Sequence, residues 1–136
     1  MKRVTARADL DAELARYRAF EECLLRKFAM TDFGLAFEAE LEYIWDDQAP
    51  GDAQLVADVS RRVTMRFIRP VRVEARFSPP PVAPGGFDAG SWGLVELALV
   101  EAHEKVRVGN LGVSFVWEHD QRITIEFEAV EIASKP

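Results

Sequence analysis

Phe33-Gly34-Leu35-Ala36-Phe37-Glu38-Ala39-Glu40-Leu41-Glu42-Tyr43-Ile44-Trp45 alternates between apolar and polar side chains. Phe33, Leu35, Phe37, Ala39, Leu41, Tyr43 and Trp45 share one face, and Glu38, Glu40 and Glu42 lie on the other. Successive side chains of a strand point to opposite faces, so this stretch is a strand with one dry and one wet side, as antiparallel sheets commonly have. Downstream, 46–60 contains Pro50-Gly51 and is expected to be a polar connection. Alternation resumes over 62–77. Val63, Met65, Phe67, Val71, Val73, Ala75 and Phe77 form its dry face, and Arg62, Thr64, Arg66, Arg72, Glu74 and Arg76 its wet one. It falters at Ile68-Arg69-Pro70, where proline cannot donate to a ladder and a bulge, bend or edge is expected.

Upstream, Leu10, Leu14, Tyr17, Phe20, Leu24 and Phe28 recur in steps of three and four, which predicts a helix over 9–28. Asp9 would be its N-cap, and Arg26 and Lys27 would suit its negative end. The 78–90 stretch, with Pro79-Pro80-Pro81, Pro84 and Gly85-Gly86, is expected to be a surface loop rather than a linker, because neither flank alone could bury an adequate core. The 92–100 run is apolar on both faces apart from Glu96 and predicts a central strand. A short strand over 106–108 would precede a turn at Gly109-Asn110. A hairpin is predicted from 113–118 and 123–132 around His119-Asp120-Gln121-Arg122. The expected fold is α+β, with one N-terminal helix packed on a five- or six-stranded, mostly antiparallel sheet or partial barrel. It is expected to form a single domain over 1–136, with the strand region at 33–132.

Composition narrows the function classes. The 136 residues carry 17 basic and 23 acidic side chains, a net charge of -6. A pI near 5.0 argues against a nucleic-acid partner, since phosphate binding draws on surplus Lys and Arg. No apolar run is long enough for a membrane span, and Met1 to Arg7 has no apolar segment behind it, so neither membrane insertion nor secretion is expected. The single cysteine, Cys23, excludes an internal disulfide and a cysteine-built zinc site. On the predicted helix it falls on the polar side, with no histidine near it in sequence. Gly90-Ser91-Trp92-Gly93 lacks the spacing of a nucleophile elbow, and Gly85-Gly86 with Gly90 forms no phosphate-binding glycine motif. His103 and His119 have carboxylate neighbours, but their spacing follows no metal-binding logic, and both fall near strand ends or turns. Catalytic, cofactor and metal residues are therefore assigned to none.

The remaining signals concern charge and tryptophan. If the first two long strands are hairpin neighbours, Glu38, Glu40 and Glu42 would face basic residues drawn from Arg62, Arg66, Arg72 and Arg76. Such pairs guide register more than stability. The alternative is an acidic patch that docks a partner. Glu21 falls within the apolar stripe of the helix, and Arg69 has the parity of apolar neighbours, so the two are expected either to pair or to reach water. Trp45 and Trp117 continue dry faces. Trp92 follows the Pro/Gly loop and is either buried or an interface anchor. The candidate partner-binding residues are Glu38, Glu40, Glu42, Asp46, Asp47 and Trp92.

The amphipathic strands over 32–45, 62–77, 92–100 and 113–132 resemble, as a pattern, small bacterial immunity proteins of polymorphic toxin systems, the immunity protein 50 type. The resemblance covers most of the chain after the first helix and carries over no functional residue. It implies an intracellular, non-enzymatic protein that binds and blocks a toxin, and acidic charge would suit a basic one. The first reading is therefore a cytoplasmic protein-binding module, with no cofactor expected. The alternative is a structural or assembly subunit whose edge strands dock into a complex or pair into a homodimer. A small enzyme or ligand-binding protein, with a pocket between helix and sheet, is the third reading.

Overall fold

The alternating stretch at 33–45 builds a ten-residue strand, β3, over Ala36–Trp45. Ala39, Leu41, Tyr43 and Trp45 are buried, and the glutamates between them face outward. The computed structural model describes residues 1–47, 55–77 and 94–135. The expected loop over 78–90 and Trp92 therefore lie outside the described residues. The other elements are β1 (Lys2–Val4), α1 (Arg7–Arg16), β2 (Leu24–Thr31), β4 (Val56–Ile68), β5 (Arg72–Arg76), β6 (Leu99–Ala102), β7 (Leu111–Val116), β8 (Arg122–Phe127) and β9 (Ala129–Lys135).

The architecture is α+β and antiparallel, as expected, but its strands number nine among the described residues rather than five or six. They form a five-stranded sheet, ordered β1-β9-β4-β3-β2, and a four-stranded sheet, ordered β5-β8-β7-β6. Two neighbouring strands turn from one sheet into the other together. β4 pairs β9 as far as Ile68 opposite Ala129, and β5 pairs β8 from Arg72 opposite Glu126. Arg69, in the left-handed region at φ 51°, and Pro70 make the corner in one strand, and Glu128 makes it in the other. The amide of Glu128 donates to the Ile68 carbonyl at 3.0 Å, and the amide of Val71 donates to the Glu126 carbonyl at 2.9 Å. The break expected at 68–70 is thus a change of sheet. Strands that switch sheets at bends form the corners of orthogonal β packings.

The sheets also meet along the 94–98 segment. The amide of Leu25 donates to Val95, that of Leu97 to Cys23 and that of Ala98 to Val116, all within 2.9 Å. Of the central strand expected over 92–100, the described residues form only the short β6, at the edge of its sheet among them, preceded by this link. One buried cluster collects Leu10 and Leu14 of α1, Leu41, Met65 and Phe67 of the first sheet, and Val113, Phe115 and Ile125 of the second. Phe115 packs edge-on to both Phe28 and Phe67, with ring centroids 5.6 and 6.0 Å away.

The helix ends at Arg16 rather than near residue 28, and Ala6 rather than Asp9 is its N-cap. Arg18, Ala19 and Phe20 all adopt positive φ and reverse the chain, and the buried Phe20 ring stacks on Tyr17 at 5.0 Å. The apparent helical step beyond this point comes from a bulge. β2 pairs Leu25 with Leu41 and Phe28 with Ala39, so three residues of β2 span two of β3. The extra residue at Arg26 keeps Leu25 and Phe28 on one side and hides the period of two. The polar connection expected over 46–60 is also shorter than its sequence suggests, since β4 begins at Val56. No strand forms over 106–108, where the chain is a loop closed by a turn at Val108-Gly109. β7 and β8 form the first part of the expected hairpin, with Val113 opposite Ile125 and Phe115 opposite Ile123. Its second strand stops at Phe127 rather than running to residue 132, because the chain turns at Glu128 into β9, which pairs with β4 and β1 of the other sheet.

Candidate functional surfaces

The outward face of the five-stranded sheet is a ladder of opposed charges. Register places Glu38 opposite Arg66 and Glu42 opposite Arg62. Lys27 of β2 stands opposite Glu40, and Arg3 of β1 opposite Glu131 of β9. The Arg62 Nε donates to Glu40 at 2.9 Å, and Arg26 clasps Glu42 with its Nε at 2.6 Å. The hydroxyl of Ser60 donates to the other Glu42 oxygen at 2.7 Å. These contacts, Ser60 first and Arg26 next, hold the Glu42 carboxyl below its ordinary range. The expected hairpin pairing is realised by Arg62 and Arg66. Arg72 and Arg76 lie in the other sheet and meet Glu126 and Asp120. Arg66 itself also pairs with Asp32 at the end of β2.

Asp46 and Asp47 close the far end of β3. The Asp46 amide donates to the Leu55 carbonyl at 2.8 Å. Asp47 accepts the Tyr43 hydroxyl at 2.7 Å and pairs with Arg61, whose guanidinium also covers the Tyr43 ring at 5.0 Å. Burial, reinforced by Asp47, raises the Tyr43 phenol well above its ordinary range. Of the candidate partner-binding residues, Glu40, Glu42 and Asp47 are thus engaged within the chain, and Trp92 lies outside the described residues.

Of the two outcomes expected for Glu21 and Arg69, the structure shows the second: both reach water and they do not pair. Glu21 is exposed beyond α1, and its carbonyl accepts the Trp45 indole N–H at 2.7 Å. Arg69 is exposed at the corner and pairs with Glu128 at 3.7 Å. Cys23, expected on a polar helix face, is fully buried beside Leu97, and burial pushes its thiol up to about 11. His119 is exposed in the β7–β8 turn, and the amide of His103 donates to Gly112 after β6. Among the described residues, no group of three or more His, Cys, Asp or Glu is placed to hold a metal ion. Among them too, no helix is long and apolar enough to cross a membrane.

Two surfaces escaped the sequence reading. The first is an apolar tip where β2 turns into β3. Phe33, expected on the dry face, is fully exposed with φ 56°, and Met30 and Leu35 are 62% and 67% exposed. The Leu35 carbonyl accepts the Arg69 amide at 3.0 Å, which brings the tip beside the corner and the exposed Val71. The Asp32–Arg66 and Arg69–Glu128 ion pairs flank it. The signal was Asp32-Phe33-Gly34, a turn tripeptide that ends in a glycine at φ 89° and lifts its aromatic out of the strand. The second surface is an open cleft of about 710 Å³, lined by Arg26, Glu42, Ser60, Arg61, Arg62 and Lys135.

Comparison with known proteins finds no family model and no curated protein that matches the chain.

Proposed function

We propose that the chain is a non-enzymatic protein-binding module that engages another protein through the β2–β3 tip. The observation that carries this reading is Phe33, an aromatic ring held in water on a left-handed turn beside the exposed Met30 and Leu35. Contiguous exposed apolar side chains with a polar rim favour a protein interface, and aromatic anchors supply much of its binding energy. The glutamate ladder is assigned to strand register, because its carboxylates are engaged by Arg26, Ser60 and Arg62. Neutralisation of a bacterial toxin in the cytoplasm is the specific form of this reading that the strand pattern suggests. A structural or assembly role is the second reading. It is favoured by β5, which lies at the edge of its sheet among the described residues and on which Val73 is exposed.

A photo-crosslinker placed at Phe33 in the native cell should capture a different protein. Binding of that purified partner should weaken at least tenfold in Phe33→Asp, with melting unchanged. Crosslinks only to a second copy, or a partner indifferent to Phe33→Asp, would refute the tip as the docking site.

A further inference from the structure

The cleft lies at the opposite end of β3 from the apolar tip. Ala36 and Glu42 are six positions apart, about 20 Å of strand. In a chain of net charge -6, its lining brings four cations against one carboxylate. That carboxylate, Glu42, is already held by the Ser60 hydroxyl and by Arg26. Arg62 reaches Glu40 through Nε, and Arg61 reaches Asp47 through one terminal nitrogen. A guanidinium carries five N–H donors in a rigid fork, so both retain donors for a further acceptor.

The β4–β9 register adds an independent observation. It sets Arg62 directly opposite Lys135, and both line the cleft. Like charges directly opposite on a ladder destabilise it, and among the described residues Lys135 forms no ion pair. An anion seated between them would remove the repulsion and accept hydrogen bonds from both. The cleft is open to solvent and, at about 710 Å³, leaves room for a phosphate with a small organic substituent.

We propose that this cleft binds a soluble phosphate monoester, its dianionic phosphate held between Arg62 and Lys135 and flanked by Arg26 and Arg61. The inference stands apart from the protein-docking reading, since the two sites share no residue. The test is an amide NMR titration at pH 7.5 and constant ionic strength, with inorganic phosphate and then glycerol phosphate. Saturable shifts are expected at Ser60, Arg62 and Lys135, with glycerol phosphate the tighter ligand. Arg62→Gln combined with Lys135→Gln should weaken binding at least tenfold, yet melt no lower than the parent in phosphate-free buffer. Arg62→Gln alone should give a partial loss, and Phe33→Asp none. Shifts reproduced by chloride, equal affinity for succinate, or undiminished binding by the double variant would overturn the assignment.

Discussion

Glu126 lies beneath the loop that follows β6, with only 4% of its side chain exposed. Its Oε2 accepts the Asn110 side-chain amide at 2.8 Å and the Arg107 backbone amide at 3.1 Å. The Arg72 guanidinium is 3.7 Å from its other oxygen and donates on to the Lys105 carbonyl at 3.0 Å. Asn110 first, and the Arg107 amide next, hold its carboxyl below the ordinary range. A carboxyl lowered in the folded state stabilises the protein above its unfolded pKa, about 4.3 for glutamate, and loses that contribution as pH falls through the folded value. Glu126→Gln should therefore melt below the wild type at pH 7, and the gap should narrow on acidification below about pH 4. A gap of constant size from neutral pH to pH 3 would remove the charge from this account. Nothing local in Thr124-Ile125-Glu126-Phe127 marks the residue, since its partners come from a loop distant in sequence.

At the scale of elements, the corner between β4 and β5 carries a penalty that substitution can expose. Arg69 adopts φ 51°, where a Cβ crowds the following carbonyl. Its amide bond to Leu35 uses only backbone, and its ion pair with Glu128 is exposed on both sides and contributes little. Arg69→Gly should relieve the strain and offset the added freedom of the unfolded chain, for a net gain of about 0.5–1 kcal/mol in urea denaturation. A loss of stability would mean that the arginine side chain holds the corner. Ile68-Arg69-Pro70 revealed the interruption through proline alone. Which sheet each half joins depends on β8 and β9, more than fifty residues downstream. The β2 bulge concealed its strand for a related reason, since one extra residue changes the spacing of Leu25 and Phe28 without changing their partners' face.

For the whole molecule, Leu97 is the link to test. It is 1% exposed, its amide donates to Cys23 and its carbonyl accepts the Glu22 amide. It thus anchors the 94–98 segment to the residues that lead into β2 of the five-stranded sheet, one residue before Ala98 bonds β7 of the other. Leu97→Ala should cost about 2–5 kcal/mol, the range for a buried leucine that leaves a cavity. Backbone and aromatic circular dichroism should still report a single coincident transition, because both sheets share one buried cluster. Transitions that separate in the variant would show that the two sheets are held together at the corner alone.

Local chemistry determined the amphipathic alternation of β3 and β4, the β7–β8 hairpin, the interruption before Pro70 and the opposed charges of β3 and β4. Each depends on side-chain alternation or on neighbours in the chain, which a sequence displays directly. Tertiary structure decided that Leu24–Thr31 is strand rather than helix, that Phe33 stands in water and that Cys23 is buried. It also decided that Arg62 faces Lys135. These outcomes follow from pairing between segments far apart in sequence, where the free energy of ladder formation and core packing outweighs local periodicity. The cationic cleft is a product of that pairing and was not legible before the strands were set side by side, whereas the apolar tip left one local trace, the Asp32-Phe33-Gly34 turn.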